Sequence, residues 1–220
     1  MTTARSGRAL AVRLIVTAVA LALWFWTQAL IGARPLPASG IGDGLHIWTA
    51  SINSYLSQHT STTNALLIMS SCVIDLLGVF LLAMWIFGPS VRPFLGLVLV
   101  LGLRQLMQAL VALPAPENSI WHYPGFPSLL VTYGVANDYF FSGHTAIAVL
   151  GAAELARLGR RWVTGIAISI VIFEAATVLV LRAHYTMDVF TGAIAALYLA
   201  SLAVKISPPI DRLLGSGGPR

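Results

Sequence analysis

Two short fragments in the second half of the chain carry residue types suited to nucleophilic and acid–base chemistry. They are Ser142-Gly143-His144-Thr145 and His184-Tyr185-Thr186-Met187-Asp188, separated by one apolar stretch. Asp188 follows His184 by one helical turn, a spacing that puts both side chains on one face. Phosphoryl transfer between esters needs a nucleophile, a group that orients and charges it, and an acid for the departing alkoxide. His184 is the candidate nucleophile, forming a covalent phosphohistidine. Asp188 is its expected partner at the other ring nitrogen, as the acid is in a Ser-His-Asp triad. His144 is the candidate acid for a leaving diacylglycerol oxygen, and then the base for an incoming alcohol or water. Ser142, Gly143 and the first amides of the following helix are placed to hold phosphate oxygens, because helix N-termini attract anions and Gly143 lets the backbone come close. The bland reading is two satisfied interfacial histidines and a first-turn acid favoured by the helix dipole. Both motifs reaching one membrane face favours chemistry. Two histidines and an acid can bind zinc, but no His-Glu-x-x-His or cysteine pattern accompanies them, so neither metal nor cofactor is expected.

The elements that must position these groups are membrane helices. The chain has 220 residues, 57% hydrophobic and 10% charged, against about 25% charged in a soluble domain. Cys72, the single cysteine, excludes a disulfide framework. Apolar runs of about 20 residues predict six spans, near Leu10–Ile31, Ala65–Phe87, Pro93–Leu113, Tyr139–Leu158, Trp162–Arg182 and Met187–Ile206. The first is longer than the apolar core of a signal peptide, roughly 7–15 residues. The expected fold class is all-α, a six-helix membrane bundle forming a single domain over residues 1–220.

Basic residues alternate between the connections. Arg5, Arg8, Arg13, Arg92, Arg157, Arg160, Arg161, Lys205, Arg212 and Arg220 fall on one side, and only Arg34 and Arg182 lie near the other. The net charge of +5 is thus a topology signal and not a nucleic-acid patch. The positive-inside rule puts both termini in the cytoplasm and His144, His184 and Asp188 at the outer face. Lys205 is the only lysine, a bias that fits a GC-rich bacterium and its inner membrane. In the first outer loop, residues 43–59, Leu45, Trp48, Ile52, Tyr55 and Leu56 recur at helical spacing, as in an interfacial amphipathic helix acting as lid or anchor. His46 and His59 lie on this segment and read as solvated side chains. Asp75 and Arg104 each lie ten residues from the outer end of their spans, about 15 Å in a helix. An ion pair at equal depth is expected, near a cavity floor that includes Gln105 and Gln108. Glu174 is expected to tune the site or bond a neighbouring helix, and Glu154, with Arg157 one turn on, to be structural.

The motif pair resembles the type 2 phosphatidic acid phosphatase superfamily, and more closely its sphingomyelin synthase-like branch with the plant phosphatidylcholine:diacylglycerol cholinephosphotransferases. The branch pattern is matched by Asn137-Asp138-Tyr139-Phe140-Phe141-Ser142-Gly143-His144-Thr145, by His184 through Val189, and by Arg104 followed by Leu113-Pro114. Motif support runs from Arg104 to Ala196. The resemblance implies a helical bundle of that superfamily and a site in which His144, His184 and Asp188 act on a substrate bordered by Ser142, Gly143, Asp138, Tyr185, Arg182 and Arg104. The parent phosphatases carry proline where this chain has Phe141, Ser-Arg where it has Thr177-Val178, and a lysine where it has Trp85. Arg92-Pro93 therefore reads as a topology signal, and Arg182 is the local candidate for a cationic phosphate grip, with an interfacial snorkelling arginine as its alternative.

The function so implied is transfer of a phospho-alcohol head group, plausibly phosphocholine, from a phospholipid donor to a diacylglycerol-like lipid alcohol. Trp121-His122-Tyr123-Pro124-Gly125 offers an aromatic contact for a quaternary ammonium or an ordinary interface belt. The alternatives are a phosphatase or phospholipase C using water as acceptor, and a non-enzymatic transporter or scaffold of the same fold. Without the lysine and arginine of the phosphatases, a dianionic phosphomonoester is the poorer substrate.

Overall fold

A computed structural model of the chain describes residues 40–133 and 139–213, together with ten helical residues between 15 and 30. The chain divides into two units, Met1–Gly42 and Asp43–Arg220. The expected first span lies mostly outside the described residues, as do Arg5, Arg8, Arg13, Arg34, Asn137, Asp138 and Arg220.

The second unit contains seven helices among its described residues and no strand. They are α1 (Gly44–Trp48), α2 (Ala50–Gln58), α3 (Thr60–Ile86), α4 (Arg92–Leu110), α5 (Gly143–Ala156), α6 (Arg161–Val180) and α7 (Thr186–Leu213). Helices α3, α4, α6 and α7 are long and apolar enough to cross a membrane. Their outward faces carry Leu76, Val79, Leu106, Ile172, Phe190, Ile194 and Leu197 in the open. That much unpartnered apolar surface belongs in lipid, and the chain is a multi-pass membrane protein.

The exception is α5. The expected span Tyr139–Leu158 is a helix of only 14 residues. It is apolar on all sides because it is buried on all sides, packed by α3, α4, α6 and α7. Ile147 and Leu150 meet Ile74, Leu77, Leu97, Val100 and Leu199 in the core. The polar residues of α5 lie at its two ends. At one end is His144. At the other, Glu154 is buried and holds Arg92, whose Nε and Nη2 donate to it at 3.0 and 2.7 Å, with Arg157 at 3.5 Å. Asp211 accepts from the Val91 amide at 2.6 Å and the Ser90 hydroxyl at 2.8 Å, capping α4 at that same far end. The far end is thus closed by ion pairs, and the other is left for chemistry.

Candidate active site

The first motif is fixed by capping. Ser142 is the N-cap of α5, its Oγ accepting from the Thr145 amide at 3.3 Å and pairing with Thr145 Oγ1 at 3.0 Å. Its own amide donates to the Asp188 carbonyl at 3.1 Å. Helix α7 comes close enough to do this because residue 192 is glycine, where a Cβ would lie 2.6 Å from the Ser142 carbonyl oxygen. The two motifs are therefore bonded to each other through their backbones. Phe141, just before, is fully buried with φ of 74°. A proline, locked near −65°, cannot take that turn, which accounts physically for the departure from Pro-Ser-Gly-His.

The second motif is not a continuous helix face. His184 sits in the turn before α7, and Asp188 reaches back to it from the first helical turn. One Asp188 carboxylate oxygen accepts from the Tyr185 amide at 2.9 Å and lies 3.7 Å from His184 Nδ1; the other is buried without a partner. The expected direct bond from Asp188 to the ring is replaced by a longer approach of 3.7 Å. The Nδ1 proton instead goes to the Tyr139 carbonyl at 3.0 Å. Because a carbonyl only accepts, Nδ1 carries a hydrogen, and in the neutral tautomer this leaves the Nε2 lone pair free to attack.

Further contacts to this turn come from the segment 43–59, and here two expectations are corrected. The amphipathic segment is two helices, α1 and α2, in place of one. His46, Asn53 and Leu56 face the protein, while Ile47, Trp48, Ile52 and Tyr55 are exposed. His46 is not solvated. Its Nε2 donates to the His184 carbonyl at 3.0 Å, and its ring stacks on Tyr185 with centroids 5.6 Å apart. Asn53 donates to the Val180 carbonyl at 2.8 Å. Asp43 caps α1 through the Leu45 and His46 amides and also receives the Thr186 amide and hydroxyl, both at 2.6 Å. Burial works to raise the Asp43 pKa, but the bonds from Thr186 and the His46 amide outweigh it and hold the carboxyl below its ordinary value. Sequence reasoning missed Asp43 as a site residue; an aspartate directly before a helix was its one legible signal. His59 is exposed and stacks on Tyr55, as expected of a solvated residue.

A cavity of about 230 Å³ lies between these motifs, lined among others by His144, His184, Gly143, Tyr139, Arg104, Gln105 and Trp121. His144 Nε2 is buried there without a hydrogen-bond partner, and Trp121 meets the imidazole edge to face at 5.1 Å. Arg104 crosses the start of α5: a Cβ on Gly143 would lie 3.0 Å from its Nε. A guanidinium and the first, intrinsically unpartnered amides of a helix thus meet beside the two histidines, a setting for an anionic phosphate.

The other sequence candidates lie elsewhere. Arg182 is not among the cavity-lining residues. It adopts φ of 52° and gives its guanidinium to the Glu117 and His46 carbonyls at 2.8 and 3.2 Å, which ties the turn to its cover. Tyr185 is buried and donates to the Pro114 carbonyl at 3.2 Å. Burial, then the carboxylates of Asp188 and Asp43, raise its phenol pKa, so it stays a neutral donor. Ser142 has its hydroxyl and amide committed, and Asp138 lies outside the described residues. The expected Asp75–Arg104 ion pair is not formed. Asp75 accepts instead from the Leu129 and Leu130 amides at 2.8 and 2.9 Å and from the Ser128 hydroxyl at 3.2 Å. Glu174 does bond a neighbouring helix, accepting from Ser70 of α3 at 2.6 Å.

Comparison with known proteins gives a consistent family. A family model described as AtPDCT1/2 matches residues 43–205. The chain is 23% identical over 193 residues to phosphatidylcholine:diacylglycerol cholinephosphotransferase 1 of Arabidopsis thaliana, an alignment covering 87% of this chain and 62% of that protein. The chain thus spans less than two thirds of that relative's length. No solved structure matches.

Proposed function

The chain belongs to the AtPDCT1/2 family, and from that premise we propose that it transfers a phospho-alcohol head group between membrane lipids, with phosphatidylcholine as donor and a diacylglycerol-like alcohol as acceptor. The observation that carries this reading is the meeting of His144, His184 and Arg104 in one cavity at the N-terminus of α5. His184 Nε2 attacks phosphorus, forming a P–N bond as the P–O bond to the glycerol breaks. His144 gives its proton to the departing alkoxide, which leaves as diacylglycerol. Arg104 and the amides of Gly143 and His144 hold the non-bridging oxygens where charge builds. The acceptor hydroxyl then loses its proton to His144 and attacks phosphorus, and the P–N bond breaks. Asp188 and the Tyr139 carbonyl act through Nδ1, favouring the ring that becomes cationic on phosphorylation. Trp121, beside His144, is the aromatic surface available to a quaternary ammonium.

The motif pair supports placing the chain in the sphingomyelin synthase-like branch of the type 2 phosphatidic acid phosphatase superfamily, with the six-span layout. Arg92, Arg157, Arg160, Arg161, Lys205 and Arg212 gather at the far end of the bundle, and this asymmetry supports cytoplasmic termini and a site on the outer face of a bacterial cell membrane.

The test is a proteoliposome assay with purified protein, phosphatidylcholine labelled in its head group, and a second diacylglycerol distinguishable by mass. Label in phosphatidylcholine built on the second diacylglycerol establishes transfer. Release of free phosphocholine at the same rate with and without acceptor establishes a hydrolase instead. An acid-labile protein-bound label that disappears in His184→Ala identifies the phosphohistidine.

A further inference from the structure

The segment 128–133 has no helical structure, yet it lies against the middle of a membrane-length helix. Asp75, which binds the Ser128 hydroxyl and the Leu129 and Leu130 amides, stands about halfway along the 27-residue α3. The Ser128 hydroxyl passes the chain on by accepting from the Val131 amide at 3.1 Å. One turn beyond Asp75, Gly78 makes room for the Leu130 side chain, which fills the place a Cβ would occupy. Irregular backbone at such depth survives only when protein satisfies it or when it lines a cavity. Here both hold. Asp75 saturates the amides, and Leu129, Leu130, Val131 and Thr132 form one wall of the cavity that holds His144 and His184.

That wall is thin at one place. Leu129 lines the cavity and is 66% exposed. Gln105 of α4 likewise both lines the cavity and is exposed. It lies less than two turns from the end of its helix, next to Leu106 and close to Leu110, both exposed apolar residues of the same helix. Gln105 and Leu129 are thus exposed residues of the cavity lining, and Gln105 stands on the helix that shows Leu106 and Leu110 at the side of the bundle. Volume points the same way. Pockets that enclose a drug-sized molecule hold roughly 300–1,000 Å³, so about 230 Å³ accommodates a phosphorylated head group and its glycerol carbon and leaves no room for acyl chains.

We propose that the Gln105–Leu129 seam is a lateral slot through which the acyl-glycerol part of a diacyl lipid remains in the bilayer while its phosphate enters the cavity, and that Asp75 is the positioning residue that sets the slot's edge. The identity of the lipid passing through rests on the function proposed above; the slot itself is read from the wall. It also gives the charge of Asp75 a reason to exist inside an apolar span.

Two measurements test it. First, diacylglycerol bearing a photoactivatable diazirine on its acyl chain is irradiated in proteoliposomes of the unmutated protein, and the adducts are mapped. Adducts at residues 105–110 and 128–130, at least fivefold over the exposed Ile166, Ile168 and Ile172 of α6, support the slot. An even distribution overturns it, and this readout needs no turnover. Second, Leu129→Trp and Gln105→Trp narrow the seam. The ratio of kcat/KM for dioleoyl over dihexanoyl phosphatidylcholine should fall tenfold or more, since the short donor also reaches the cavity from water. Asp75→Leu should lower the same ratio, and Asp75→Asn, which keeps one accepting oxygen, should restore most of it. An unchanged ratio in all of these refutes the slot. If the unmutated protein turns over neither donor while the adducts still concentrate at the seam, the proposed reaction fails and the slot stands.

Discussion

Asp43 touches nothing in the cavity, yet its replacement by alanine should slow the reaction strongly. One carboxylate caps α1 through two amides and binds α7 through the Thr186 amide and hydroxyl. Loss of a helix cap costs about 1 kcal/mol, and hydrogen bonds to a charged partner are worth about 1.5–3 kcal/mol each. Two helix starts uncapped at about 1 kcal/mol each, with the charged bonds to Thr186 weakened by solvent at this half-buried position, should cost about 2–3 kcal/mol, which moves an equilibrium by about 30- to 140-fold. The equilibrium in question is between the docked and undocked turn that carries His184. Transfer in proteoliposomes should show kcat for Asp43→Ala reduced at least tenfold and at most by that factor, with KM for the donor changed less, and Asp43→Asn in between. The pH dependence follows from the depressed carboxyl pKa. A lowered folded pKa means that the contribution is fully present above the ordinary carboxylate value and lost only as pH falls through the folded one. Between about pH 5 and 8 Asp43 should add no limb to the rate profile. A folded Asp43→Ala protein, judged by its melting transition in detergent, with kcat within twofold of the parent would refute the reasoning.

Other outcomes are as definite. His184→Ala should abolish covalent head-group labelling, whereas His144→Ala should label more slowly with the natural donor and lose less with an activated donor whose leaving group needs no proton. Asp188→Asn should keep the fold and lower kcat by about two orders of magnitude or more, by analogy with the acid of a Ser-His-Asp triad, and near-normal turnover would remove Asp188 from the mechanism. Arg92→Ala leaves the Glu154 carboxylate buried with only the 3.5 Å approach of Arg157, so stability should drop by about 3–5 kcal/mol while kcat per folded molecule stays put. In a Cys72→Ala background, cysteine at Glu117 should react with an impermeant thiol reagent from outside the cell and cysteine at Leu158 should not; reversed labelling would put the site in the cytoplasm.

His144, His184 and Asp188 stood out in the chain because histidine and aspartate at those spacings beside apolar runs have few other uses, and the structure brings the two histidines to one cavity with Asp188 3.7 Å from His184. Helices α3, α4, α6 and α7 were equally legible from hydropathy, and their bounds fall within three residues of those expected except that α3 starts about five residues earlier and α7 ends about seven later. What escaped was partnership across distance. Equal depth suggested that Asp75 pairs with Arg104, an inference that assumed nothing but helix at that level. The re-entrant residues 128–131, which take Asp75 instead, carry no periodic signal. His46 looked solvated because the sequence places it on an exposed outer-loop segment, whereas its ring turns inward onto Tyr185 and the His184 carbonyl. Arg182 looked like a phosphate ligand from its place beside His184, but backbone carbonyls two loops away claim its guanidinium.

The short central helix bears on how this protein comes to exist in a membrane at all. Fourteen residues of α5 extend about 21 Å, short of the roughly 30 Å of a hydrocarbon core, and both ends carry groups that lipid rejects. Helices α3, α4, α6 and α7 can each partition into the bilayer on their own hydrophobicity. Helix α5 has to enter as one arm of a hairpin with α6, joined by residues 157–160, where Gly159 at φ of 72° makes the bend. It is then held only once α3, α4 and α7 have closed around it. His144, the proposed acid, thus takes its place only when those helices have packed, so a chain inserted in the membrane but not yet packed would lack the cavity that His144 lines.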